Sequence, residues 1–211
     1  MTIDRHGGIS YSCRQGTDRG RTQLPFWTIR CIYGEGALAK RDAALVAHET
    51  YLVTHSREIC FAGPMFADDG ATRTGLWLMI EAPDRAHAEA FIAEEGFTRA
   101  GMFGAIEIKR FVPAGPGVRR QVEIAPDPAC RMFVCELAGG AGAANLLQDS
   151  ADHAVARGVS TTDDSSRTLG AVAIVEVADR AAVDALLAGD PSAGAYSEIR
   201  IDRWRFGKSV V

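Results

Sequence analysis

His48 is the residue from which a chemistry can first be read. Between Arg41 and about Glu58 it falls with Leu45 and Leu52 on one stripe at helical spacing, so an imidazole stands where a core side chain is expected. An unpartnered imidazole is costly in such a place, and its ordinary pKa of about 6.5 suits proton transfer near neutrality. Glu95 follows a second helical segment, Arg85 to about Glu94, at a point from which a carboxylate can reach a neighbouring helix and orient the ring. Arg41 can grip a carboxylate with both prongs of its guanidinium. Each residue also has a plainer reading: a hydrogen-bonded core histidine, a solvated helix-end charge, a surface arginine. His55 lies two helical turns beyond His48, about 10 Å away, too far for the two to chelate one metal without other ligands. No metal and no cofactor is expected.

Composition bounds the partners. The chain has 211 residues, 47% hydrophobic and 24% charged, with a formal net charge of -4, the profile of a soluble globular protein. A net acidic chain lacks the basic face that nucleic acid requires, and a small-molecule ligand is favoured, with a homodimer open. Cys13, Cys31, Cys60, Cys130 and Cys135 include no C-x-x-C pair, so reduced, buried thiols are expected. No apolar run is long enough to span a bilayer and the start lacks a secretory h-region, so no membrane partner and a cytoplasmic location are expected.

The elements that must position these residues alternate between two periods. Residues 1–24 are rich in Gly, Ser, Thr, Arg and Asp without periodicity and read as a flexible arm. Trp27–Tyr33 is β-branched and aromatic, the helix bearing His48 follows, and Gly63-Pro64 breaks the chain before a short Met-Phe segment. Leu76–Ile80 reads as a central strand, Asp84 as the cap of the second helix, and Ile106–Phe111 as an alternating strand. Strand, helix, strand, strand, helix, strand is the ferredoxin-like order. Trp77, Phe91, Phe97, Met102 and Phe103 are core candidates that could equally line a pocket for a flat ligand.

Residues 113–129 are proline-rich and read as a linker. Beyond it the first half recurs. Ile80-Glu-Ala-Pro-Asp-Arg-Ala86 matches Val175-Glu-Val-Ala-Asp-Arg-Ala181, and Ile106-Glu-Ile-Lys-Arg-Phe111 matches Ile199-Arg-Ile-Asp-Arg-Trp204. Met132–Leu137 would then be the first strand of a second copy and Ala143 to about Arg157 its first helix. Gly139-Gly-Ala-Gly142 looks like a dinucleotide-binding turn but lacks the third glycine and the acidic partner.

Arg41, seven before His48, then Gly63-Pro64, then Glu95-Gly-Phe-Thr-Arg-Ala-Gly-Met-Phe103, together resemble a YCII-related domain of the dimeric α+β barrel superfamily. The family's acidic residue is Glu95 here instead of Asp, and its proline is Gly96. The resemblance implies an α+β fold in which ferredoxin-like βαββαβ units, residues 25–112 and a degenerate copy at 130–211, pack sheet to sheet as a pseudo-dimeric barrel. It further implies His48 and Glu95 as catalytic residues, Arg41, Gly63, Pro64 and Phe97 as substrate contacts, and Asp190 as the second-copy counterpart of Glu95. Gln148 would face it in place of the histidine, with His153 displaced. Two functions stay open: a cofactor-independent acid–base lyase or isomerase acting on a small oxygenated cyclic or unsaturated acid, and a non-catalytic ligand-binding or assembly protein.

Overall fold

The computed structural model describes residues 24–118, 132–139, 145–150 and 152–205. The expected arm up to residue 23, the later part of the linker and the connection 140–144 lie outside the described residues. The first half contains β1 (Phe26–Tyr33), α1 (Ala37–Thr54), β2 (Ile59–Phe66), β3 (Arg73–Glu81), α2 (Arg85–Glu94), the short α3 (Gly96–Arg99) and β4 (Phe103–Val118). The second contains β5 (Met132–Ala138), β6 (Ala154–Thr161), β7 (Thr168–Glu176), α4 (Arg180–Ala188), a 3-10 turn at Ala193–Ala195 and β8 (Glu198–Trp204). Asp84 and Asp179 begin α2 and α4 alike, each accepting a backbone N–H three residues on at 2.9 Å, which satisfies a donor the first turn leaves free.

The strands close into one barrel in the order β1-β3-β2-β8-β5-β7-β6-β4. Each half contributes four neighbours in one order, β4-β1-β3-β2 and β8-β5-β7-β6, and the halves join edge to edge through β2 with β8 and β4 with β6. Successive side chains alternate across a strand. One face therefore fills the barrel with Phe26, Trp77, Met79, Phe111, Val134, Ile174 and Trp204. The opposite face of the first half packs Ile29, Leu78 and Ile80 under Leu52 and Phe91 of the helices, while in the second half Phe133 and Ala173 lie under Leu187. Closure removes the open edges that each four-stranded sheet would otherwise expose. Inside the barrel Arg30 donates to Glu136 at 2.9 Å and to Asp202 at 2.6 Å, tying the halves together with buried charge.

The two seams repeat each other. Met65 faces Trp204 and Phe66 faces Arg203 at one, and Ser160 faces Phe111 and Thr161 faces Arg110 at the other. These are matched positions, since Phe66 and Thr161 in turn face Arg73 and Thr168 across the next ladder. Arg85 of α2 reaches Asp163 of the other half at 2.7 Å and the carbonyl of Ile108 at 2.9 Å. Arg180 of α4 does the same in reverse, to Asp68 at 3.3 Å and the carbonyl of Ile201 at 3.4 Å. Gly63 and Gly158 occupy equivalent seam sites: a Cβ on either would lie 1.9 Å from the Arg205 carbonyl oxygen or 2.3 Å from that of Val112. Only a residue without a side chain permits that approach.

Three expectations are corrected. No helix forms from Ala143 among the described residues; Asn145–Ser150 makes turns, and β6 occupies Ala154–Thr161. The edge of β4 needs a partner for the barrel to close, and that requirement overrides a weak helical pattern. The linker does not begin after Val112, because β4 runs on to Val118 against β6, with an irregularity between Pro113 and Val118 where proline cannot donate. Gly63-Pro64 does not break the chain: both are buried within β2. They are tolerated there because β2 pairs with β8 only through Met65 and Phe66, so the donor missing at Pro64 interrupts little.

Candidate active site

His48 and Glu95 are brought together by two helices that touch. The buried face of α1 consists of Ala37, Ala44, His48 and Leu52. After α2 the chain extends at Glu95, which caps α3: its Oε2 accepts from the backbone N–H of Phe97 at 3.0 Å and of Thr98 at 3.1 Å. Its Oε1 is bonded to Nδ1 of His48. Gly96 makes the meeting possible, because a Cβ there would lie 2.4 Å from the His48 backbone nitrogen. Phe97 then stacks flat on the imidazole, with centroids 3.9 Å apart and planes 5° from parallel. The pair is deep, His48 being 2% exposed and Glu95 0%.

This arrangement restricts what each group can do. Both carboxylate oxygens are committed, so Glu95 is held in one orientation and fixes the ring plane of His48. A neutral imidazole facing a carboxylate through Nδ1 carries its proton there and leaves Nε2 as the acceptor. Among the described residues Nε2 has no hydrogen-bond partner. The result is an imidazole oriented through Nδ1 with Nε2 open.

Tyr33, at the end of β1, connects this pair to a cluster of arginines. Its ring stands edge-on to Phe97 at 6.4 Å and stacks on Phe103 at 5.7 Å. Burial pushes its phenol up, the charges of Arg73 and Arg41 pull it down, and Glu95 and Cys31 push it up again. The tyrosine thus feels the charge of both the carboxylate and the arginines. Arg73 and Arg205 both lie over the Phe66 ring, their guanidinium carbons 5.5 and 4.9 Å from its centroid.

The remaining expected residues are dispersed. Arg41 is half-buried on α1 and reaches Asp42 at 3.2 Å. Gly63 and Pro64 hold the end of β8: the Gly63 carbonyl accepts from Trp204 Nε1 at 3.0 Å and the Pro64 carbonyl from the Arg205 N–H at 3.1 Å. Among the described residues neither has a hydrogen bond to His48. In the second half Asp190 copies the capping role of Glu95, accepting from Ser192 N–H at 2.7 Å. Its other oxygen is occupied by the backbone N–H of Leu147, a residue in the left-handed region at φ 55°. Gln148 does not take the place of the histidine, because it lies exposed in a turn, as His153 lies exposed just before β6. The second half keeps the acid's geometry and fills its partner position with backbone. Tyr33, Arg73 and Arg205 were not apparent in the sequence, since they lie on three strand ends that only barrel closure brings together.

The model of the YCII-related domain family matches residues 26–112. No curated protein matches the chain. A solved structure of 5-chloro-2-hydroxyhydroquinone dehydrochlorinase from Burkholderia phenoliruptrix AC1100, in complex with 2,5-dihydroxybenzoquinone, is 28% identical, covering 42% of this chain and 94% of its own with a TM-score of 0.38. A mutant chlorite dismutase from Candidatus Nitrospira defluvii, in complex with cyanide, is 7% identical and covers 87% of this chain and 92% of its own, with a TM-score of 0.54. A heme-binding protein from Thermus thermophilus is 10% identical over 87% and 92%, with a TM-score of 0.50. At such identities the last two establish the fold, a dimeric α+β barrel architecture spanned by one chain.

Proposed function

With residues 26–112 matching the model of the YCII-related domain family, we propose that the chain is a cofactor-independent lyase or isomerase that moves a proton on a small oxygenated cyclic or unsaturated acid. The observation that carries this reading is the buried His48–Glu95 bond, which leaves Nε2 without a partner among the described residues. In the proposed reaction Nε2 takes a proton from carbon or oxygen next to a carbonyl, and the electron pair stays on the substrate as an enolate or phenolate. Glu95 stabilises the imidazolium so formed. The same nitrogen then returns the proton at another atom, or protonates a departing group on the neighbouring carbon. Arg41 holds the substrate carboxylate and Phe97 keeps the ring in plane.

We read residues 130–211 as a second, degenerate copy of the unit at 25–112. The matched seams and the matched caps Glu95 and Asp190 support this. The backbone N–H bonded to Asp190 supports a structural role for that copy.

The test is deuterium exchange. A panel of small cyclic and unsaturated acids is incubated with the protein in D2O and followed by proton NMR. Wild type is expected to exchange or convert at least one member, and His48→Gln to do so roughly 10²- to 10⁴-fold more slowly, the range for losing a general acid–base group, with folding retained. Equal rates in the two proteins would remove His48 from the chemistry. A second reading, a ligand-binding protein without turnover, draws on the depth of the pair. It would be selected by panel members that bind without any exchange.

A further inference from the structure

We infer that Arg41, Arg73 and Arg205, with the hydroxyl of Tyr33, form a binding site for a small dicarboxylate beside the His48–Glu95 pair, completed by the second half of the chain through Arg205. The inference rests on the proposed acid–base reading for its purpose but not for its test.

Arg73 and Arg205 share the Phe66 ring, and Arg41 is close enough for its charge to act on Arg73. Among the described residues neither Arg73 nor Arg205 makes an ion pair, and the partner of Arg41 is Asp42, whose side chain is 95% exposed. The Nε atoms of Arg41 and Arg205 are buried without a hydrogen-bond partner. Burial, with the nearby charges of Arg41 and Arg205, lowers the basicity of Arg73. Like charges gathered in a half-buried place cost stability unless something compensates them. The Phe66 ring beneath Arg73 and Arg205 attracts both cations without neutralising them.

The second half lacks counterparts of Arg73, Arg205 and Tyr33. By the equivalence of the seams, Arg205 corresponds to Val112 and Arg73 to Thr168, and Tyr33 corresponds to Gly139 at the end of the matching first strand. None of these can hold an anion by charge. At these three positions the charge is therefore confined to the half that keeps a histidine bonded to its carboxylate, while the other half has Arg157 bonded to the Leu146 carbonyl at 3.3 Å. An ordinary structural role would be expected in both halves.

Charge and shape define the ligand. Three guanidinium groups against one largely solvated Asp42 leave a surplus that one carboxylate would not balance, and the planar fork of arginine matches the two oxygens of each carboxylate. A dicarboxylate can engage Arg41 on the α1 side and Arg73 with Arg205 on the Phe66 side, with its carbon frame near Tyr33.

Isothermal titration of the full chain with maleate and with propionate, at fixed pH and ionic strength, tests the site. Maleate is expected to bind at least roughly tenfold more tightly than propionate, and Arg73→Gln and Arg205→Gln each to weaken maleate by roughly tenfold or more. Arg167→Gln, an exposed arginine, serves as the control, and a melting curve of each variant verifies folding. Arg205→Lys, which keeps the charge and loses the fork, is expected to fall between. Maleate binding by Arg205→Gln equal to wild type, equal affinity for the two acids, or no maleate binding up to about 50 mM would each overturn the inference. Because the readout is binding, a chain without proton chemistry can still pass, and an active His48 can coexist with failure here.

Discussion

Glu95 and Asp190 stand at the same point of the two halves, and each gives one carboxylate oxygen to the backbone N–H two residues on. They differ in the other oxygen. Glu95 holds the imidazole of His48, whereas Asp190 holds the N–H of Leu147. A capping carboxylate with one free oxygen is a general device, and what meets that oxygen decides whether it does structural or chemical work.

Replacing the two acids should separate these roles. Glu95→Gln keeps an oxygen for the amides of Phe97 and Thr98 but offers His48 a neutral amide, so turnover is expected to fall roughly 10- to 100-fold. In nitrogen-15 NMR the wild-type neutral ring is expected to carry its proton on Nδ1, and the glutamine variant to relax that preference. Asp190→Asn should leave turnover unchanged. A large loss of turnover in the Asp190 variant would contradict the structural role proposed for the second half.

The seams can be tested with one methyl group each. Gly63→Ala and Gly158→Ala both push a Cβ into a backbone carbonyl across a strand junction. Overpacking of this kind costs about 1 to 3 kcal/mol, and the two variants are expected to lose similar amounts by urea denaturation. A variant as stable as wild type would mean that its junction can open without penalty.

Acid stability should depend on a contact between the halves. Burial raises the pKa of Glu107, but its hydrogen bonds to Arg200 at 2.9 Å, from β8, and to Lys109 outweigh this and hold it below the ordinary carboxylate value. A carboxylate depressed in the folded state stabilises fully above its unfolded pKa of about 4.3, and that contribution is lost as pH falls through the folded value. Glu107→Gln is therefore expected to show a shallower loss of stability between about pH 5 and 3 than wild type. Identical pH profiles of the melting temperature would show that the bridge to Arg200 is not maintained in solution.

Thiol chemistry offers a check on both cores. Burial pushes Cys135 up to about 12, and burial with the Glu95 charge pushes Cys31 well above its ordinary value. The thiolate is the reactive form, so iodoacetamide at pH 8 should leave both unlabelled until urea is added, as read by peptide mass spectrometry. Rapid native labelling of Cys31 would indicate that the sheet beneath α1 opens readily.

Much of this was legible in the residues because local rules and tertiary demands agreed. Asp84 and Asp179 begin helices as caps should, and His48 on the stripe of Leu45 and Leu52 is in fact buried. The failures share one cause. Ala154–Thr161 became a strand because a distant edge, that of β4 at Arg110 and Phe111, needed covering, and no local window spans the two. Arg73 and Arg205 likewise meet over Phe66 through ladders on opposite sides of β2. Neither relation has a local periodicity to betray it.

Carrying both halves of the barrel on one polypeptide has a consequence for inheritance. Two identical subunits would be bound by symmetry, so that every substitution struck both pockets at once and a gain in one could not be kept apart from damage in the other. Here a codon at 205 can become arginine while the codon for 112 specifies valine. On the proposed reading of a second, degenerate copy, the fused barrel can specialise one mouth and retire the other, and titration of such a chain should saturate at a single equivalent of ligand.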